Sequence, residues 1–174
     1  MLPQACRSPL PKTAPGSFSS PRRIVAIGGG TGLPAVLRSL RLVLGDTAVP
    51  ESITAIVAVT DDGGSTGQLR QQLQMLAPGD IRNCVAALAK ENSPLASLLQ
   101  HRFSGGTGFE GHALGNLILA ALTDLLGDFP SAVAELSRIV GIQGRVLPAT
   151  FENVHLRAEY ATGEVVVGET AITA

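Results

Sequence analysis

Two glycine-rich stretches hold the residues best suited to chemistry. The first, Gly28-Gly29-Gly30-Thr31-Gly32, follows directly on the apolar run Ile24-Val25-Ala26-Ile27. Glycine permits positive φ and close backbone approach, and the first N–H groups of a following helix attract an anion, so phosphate is the natural occupant of such a turn. Thr31 adds a hydroxyl donor. Gly30, Gly32 and Ala35 meet the dinucleotide pattern only in part, because no acid ends a second strand about 20 residues later. A Walker lysine is absent as well. A glycine turn shaped by strand-to-helix geometry alone is the alternative.

The second stretch is Thr60-Asp61-Asp62-Gly63-Gly64-Ser65-Thr66-Gly67. It begins where the apolar run Ile53 to Val59 ends. If both runs are parallel strands, their carboxyl ends share one sheet edge and the two loops face each other across a ligand crevice. Asp61 and Asp62 beside a phosphate would repel it unless they accept bonds from sugar hydroxyls or hold a divalent cation. An Asx turn with both carboxylates in solvent is the plainer reading.

Two helix starts bring further polar groups. Pro78-Gly79-Asp80-Ile81-Arg82-Asn83 offers Arg82 and Asn83 to the crevice, with Asp80 expected as a helix cap. Gly111-His112-Ala113-Leu114-Gly115-Asn116 offers His112 and Asn116. For His112, packing at a helix start weighs as much as catalysis. Cys84 falls on an apolar stripe and reads as a small core residue. His101 and His155 read as surface groups, and Ser65 and Thr66 have no base that the sequence reveals.

The elements that must position these groups read as α/β. Strand Ile24–Ile27, a helix bearing Leu33, Val36, Leu37, Leu40 and Leu44, and strand Ile53–Val59 make a right-handed βαβ unit. Helices follow over Gln68 to Leu76, from Asp80 after a break at Pro78-Gly79, from Ser93-Pro94 to about Phe103, along the face Leu114 to Leu125, and over Pro130 to Val140. After Gly144 the period becomes two: Val154, Leu156, Ala158 and Tyr160 alternate with polar residues, and Thr162-Gly163 turns into Glu164 to Val167. The expected architecture is a Rossmann-like three-layer domain over residues 24–174, with a mostly parallel sheet and a late antiparallel hairpin. Gly168 to Ala174 reads as the start of another element, so the domain is expected to be incomplete at its C-terminus.

Composition bounds the function. The chain has 174 residues, 45% hydrophobic and 16% charged, enough for one core and inconsistent with disorder throughout. Its 13 basic and 14 acidic residues nearly balance, and four of the basic ones (Arg7, Lys12, Arg22, Arg23) precede Ile24. The body is therefore mildly acidic, which argues against nucleic acid as a partner. Two distant cysteines give neither a disulfide framework nor a metal spacing, and no apolar run reaches the about 20 residues of a membrane span. The cytoplasm is the expected location. Residues 1–23, with five prolines and no apolar centre, read as a disordered tail.

At the loops the chain resembles a known family. Ile27 to Leu33 (IGGGTGL), Asp61 to Gly67 (DDGGSTG), Pro78 to Cys84 (PGDIRNC), Arg102-Phe103, Gly111 to Leu117 (GHALGNL) and Gly144 to Thr150 (GRVLPAT) resemble the ordered motifs of the YvcK-like gluconeogenesis factors, relatives of the CofD phospholactate transferases. The resemblance implies a cytoplasmic regulator of cell shape and wall synthesis on gluconeogenic carbon sources, binding UDP-N-acetylglucosamine or a related UDP-sugar without catalysis. It implies that Thr31 contacts the phosphates in a cradle of Gly29, Gly30 and Gly32, with Asp61, Asp62 and Asn116 in the same cleft. The alternative it implies is a transferase using a nucleoside-diphosphate-linked phospholactate donor with magnesium. An NAD oxidoreductase rests on Gly30, Gly32 and Ala35 alone. Family members continue well beyond this length, so apolar strand edges are expected to be exposed here and to favour self-association.

Overall fold

A computed structural model describes residues 23–45, 52–105 and 108–174, so the expected disordered tail lies almost wholly outside the described residues. The first apolar run is strand β1 (Ile24–Gly28), and the helix after the glycine turn is α1 (Gly32–Leu44). Leu33 and Leu37 carry its buried side, and Gly45, at φ +54°, ends it by returning its N–H to the Arg41 carbonyl. Strand β2 (Ile53–Val57) pairs parallel with β1, Ile24 opposite Ile53 and Gly28 opposite Val57. It is two residues shorter than the apolar run, although Val59 stays buried.

Five helices separate β2 from the next parallel strand: α2 (Gly64–Leu73), α3 (Pro78–Leu88), α4 (Pro94–Gln100), α5 (Leu114–Leu126) and α6 (Phe129–Val140). Three of their boundaries correct the expectation. Helix α2 starts at Gly64, inside the glycine-rich loop, instead of at Gln68. Pro78-Gly79 opens α3 instead of separating two helices, because proline at the first helical position gives up only an N–H that has no intrahelical partner. Asp80 is consequently in the first turn, and the cap position falls to Ala77. Helix α4 stops at Gln100, short of Phe103.

Strand β3 (Arg145–Pro148) pairs parallel with the other side of β2, giving the order β1-β2-β3. Four residues ending in proline show no periodicity, so the pattern of the sequence passes over it. The late hairpin is present as β4 (Arg157–Glu159) and β5 (Val165–Val167), antiparallel and shorter than the alternation from Val154 suggests. A short helix α7 (Glu169–Thr173) follows.

Ile53, Ala55 and Val57 of the central strand are wholly buried, as are Leu37, Ile81, Val85 and Leu88 of α1 and α3. Burial of each large aliphatic side chain is worth about 1.5–3 kcal/mol, so this side of the sheet holds the elements in place. The opposite side differs. Val25 is 57% exposed, Ile27 75% and Leu147 38%, and Ile27, Ile56 and Leu147 lie side by side in register. Among the described residues, two of the three expected layers are therefore present: the sheet and the helices on one of its faces.

Candidate functional site

Parallel pairing carries both glycine-rich loops to one edge of the sheet. Gly28 and Val57 are register partners, and Ala58 donates its N–H to the Gly28 carbonyl at 2.8 Å. Beyond that pair the chains stay close: a Cβ on Gly29 would lie 3.0 Å from the Ala58 Cβ and 2.9 Å from Asp80 Oδ2. Gly30 takes φ +59°, where glycine avoids the cost a side chain would meet. Its N–H donates to Asp80 Oδ2 at 2.5 Å. Asp80 is thus not a helix cap but a strut from α3 to the glycine turn. Burial pushes its carboxyl above the ordinary range, against the lowering effect of the Gly30 N–H, and Asp61 pushes it further up.

Thr31 stands at the N-cap of α1, yet its side chain makes no capping bond and the residue is exposed. Its hydroxyl is therefore uncommitted to the helix. Gly32 begins the helix with open space around its α-carbon.

Asp61 and Asp62 are both at this edge but serve different neighbours. Asp61 Oδ1 accepts the Gly63 N–H at 3.0 Å, an Asx turn, but neither aspartate stands free in solvent as the plainer reading had it, since both are half-buried. Its Oδ2 lies against Gly79, where an added Cβ would come within 2.8 Å, with Thr66 Oγ1 at 2.5 Å. Asp62 Oδ1 accepts both the N–H and the hydroxyl of Thr170, at 2.9 and 2.8 Å. The Thr170 N–H is the main cause holding the Asp62 carboxyl below its ordinary range.

Arg70 was given no role by sequence reasoning. It is buried, and its Nη1 donates to the carbonyls of Thr60 and Asp61, both at 3.1 Å. Its Nη2 donates to Asn153 Oδ1 at 2.5 Å and to the Val154 carbonyl at 2.8 Å. One guanidinium thereby ties the aspartate loop to the segment after β3. The only available signal was a charge beside Leu69 on a short helix, which does not distinguish a strut from a solvated group.

His112 and Asn116 enter from the start of α5. Ser65 Oγ and His112 Nδ1 are 2.9 Å apart, and the Asn116 amide nitrogen donates to Ser65 Oγ at 3.3 Å. Ser65 thus has the nitrogen base that the sequence did not reveal, 47 positions away. Arg82, by contrast, does not line an open crevice. It is buried, packs where a Gly115 Cβ would sit, and donates to Asn83 Oδ1 at 2.8 Å. Burial, followed by repulsion from Arg102, lowers its pKa to about 10. Cys84 is buried as expected, and burial raises its thiol to about 12.

The starts of α1, α2, α3 and α5 therefore meet beside the carboxyl ends of β1 and β2. Unsatisfied N–H groups and helix dipoles make such an edge receptive to an anion. Gly29, Gly30, Thr31, Gly32, Asp61, Asp62 and Asn116 are all linked to this edge.

A family model described as 2-phospho-L-lactate transferase CofD matches residues 24–174. The chain belongs to the CofD family. Curated relatives place it further: it is 49% identical over 150 residues to the gluconeogenesis factor of Bacillus subtilis, covering 86% of this chain and 45% of that protein. The gluconeogenesis factor of Halalkalibacterium halodurans is 45% identical over 151 residues, 87% of this chain and 45% of its own. A Nostoc sp. relative is 51% identical over 150 residues, 86% of this chain and 32% of its own. The CofD-family chain therefore spans between a third and a half of the relatives it matches. A crystal structure of a Bacillus halodurans protein superposes with a TM-score of 0.78 at 45% identity, over 87% of this chain and 47% of that one. Among the described residues no helix is long and apolar enough to cross a membrane.

Proposed function

We propose that this chain carries the phosphate-binding part of a non-catalytic nucleotide-sugar receptor, a cytoplasmic gluconeogenesis factor acting on cell shape and wall synthesis, with UDP-N-acetylglucosamine or a related UDP-sugar as ligand. The observation that carries the reading is the glycine turn at Gly29 to Thr31. Asp80 holds it by the Gly30 N–H, the Thr31 hydroxyl is uncommitted, and the starts of four helices surround it. A diphosphate is the part of the ligand that such an edge favours. Relatives named gluconeogenesis factor support the regulatory branch over the transferase branch.

The transferase reading asks Asp61 and Asp62 to support magnesium. Their Oδ1 atoms already accept from different partners, Gly63 and Thr170, and among the described residues no group of three or more His, Cys, Asp or Glu side chains is gathered to hold a metal ion.

Isothermal titration of the 174-residue chain with UDP-N-acetylglucosamine, with and without magnesium, tests the proposal. Saturable binding that Thr31→Ala abolishes, with no product formed, is the expected result. A folded chain that ignores the UDP-sugar, or turnover of a phospholactyl donor lost in an Asp61→Asn/Asp62→Asn variant, overturns it.

A further inference from the structure

Ser65, His112 and Asn116 form a hydrogen-bonded chain that the phosphate turn does not explain. Ser65 lies in the first turn of α2 and is half-buried, the least enclosed of the three. His112 and Asn116 lie behind it, 9% and 1% exposed. Asn116 keeps this position at a cost: its Oδ1 is buried with no hydrogen-bond partner. A buried acceptor left unpaired needs a reason, and here the other end of the same amide is spent on Ser65.

The hydroxyl inventory defines what the arrangement does. A serine oxygen has one proton to give and two lone pairs to fill. The Asn116 N–H fills one lone pair. If His112 carries a proton on Nδ1, it donates to the second lone pair, and the Ser65 proton is left to point away from both, toward the crevice. If Nδ1 is bare, it captures the Ser65 proton, and an incoming phosphate meets a lone pair instead of a donor. An anion bound at Ser65 therefore favours the Nδ1-protonated form, and that form in turn favours the anion.

We propose that Ser65 is a ligand-binding residue that donates its hydroxyl proton to a phosphate oxygen of the nucleotide diphosphate, and that His112 and Asn116 are positioning residues that turn this proton outward. The proposal rests on the nucleotide-sugar reading above and adds to the Thr31 hydroxyl at the N-cap of α1 a second hydroxyl, in the first turn of α2. Neither Ser65 nor His112 needs to form or break a covalent bond for this role.

The test is titration of the full chain with UDP-N-acetylglucosamine in a double-mutant cycle. Ser65→Ala should weaken binding between about tenfold and a hundredfold, the range for a hydrogen bond to a charged group. His112→Ala should weaken it by a similar factor, and the double variant no further, because the histidine acts only through the serine. His112→Gln, whose amide can still donate to Ser65, should recover most of the affinity. Thermal melts show whether each variant is folded, and His112→Gln keeps the question answerable if an alanine variant is not. Wild-type affinity in folded Ser65→Ala, or losses that add in the double variant, would overturn the proposal alone. Absence of binding by the folded wild-type chain would overturn it together with the nucleotide-sugar reading.

Discussion

Gly30 and Asp80 meet at 2.5 Å across fifty positions of sequence, the backbone N–H of one donating to the Oδ2 of the other. The bond ties the phosphate turn to the first turn of α3, so the loop conformation depends on a residue far from it in the chain. Removing the acceptor in Asp80→Ala leaves a loop N–H unpaired and should cost about 1–3 kcal/mol in urea unfolding.

Asp80→Asn separates the bond from the charge. Asp80 has its carboxyl raised above 3.8 in the folded state, chiefly by burial, so the folded state binds the proton more tightly than the unfolded one. The stability linked to this group is fully present below about 3.8 and is lost as pH rises through the raised value. Asparagine keeps an acceptor oxygen and does not titrate. Its Tm at pH 7 is expected to equal or exceed that of the parent chain, and the gap should close as pH falls toward 4. A large loss of Tm at pH 7 would show that the charge itself is needed.

How much of this was legible beforehand depends on distance along the chain. Strand β1, its glycine turn and α1 follow from neighbouring residues, as apolar periodicity and glycine placement are local signals. Parallel pairing of β1 with β2 brought both glycine-rich loops to one edge as expected. The start of α2 at Gly64 was hidden because glycines read as loop, although the Gly67 N–H bonds to the Gly63 carbonyl at 3.0 Å. The partners of Asp80, Arg70 and Ser65 lie 50, 83 and 47 positions away, and nothing in a local pattern specifies them.

Gly79 shows how tightly α3 is set against the aspartate loop. A Cβ there would fall 2.5 Å from Thr66 Oγ1 and 2.8 Å from Asp61 Oδ2, and Thr66 is itself buried. Gly79→Ala must push α3 and α2 apart or turn both side chains away. We expect a loss of about 1–3 kcal/mol and weaker ligand binding, since the displaced α3 carries Asp80 with it. Unchanged stability by chemical denaturation would mean that the loop yields freely.

Cys84 is expected to be chemically silent in the native state. Its thiol is buried and raised to about 12, so at pH 8 only about one molecule in ten thousand carries the thiolate that alkylating reagents need. In a Cys6→Ser chain, iodoacetamide should label Cys84 in denaturant and leave it unmodified in buffer over the same time. Rapid native labelling, followed by mass spectrometry, would show that α3 opens locally.

Among the described residues one side of the sheet is uncovered. Ile27, 75% exposed, lies in register with Ile56 and Leu147, and Val25 on the same side is 57% exposed, so one row of apolar residues crosses all three strands. Among the described residues no layer covers this apolar face and β1 is an edge strand, and both features favour association. Relatives are two to three times longer, so they have chain available to cover such a face that the matched portion alone does not supply. Sedimentation of the 174-residue chain should show mass rising with concentration, and Ile27→Lys should reverse it by placing a charge in the middle of the row. The substitution lies outside the packed core, so its effect on Tm should be small. A parent chain that sediments as a monomer at every concentration would rule out the sheet face as a contact surface.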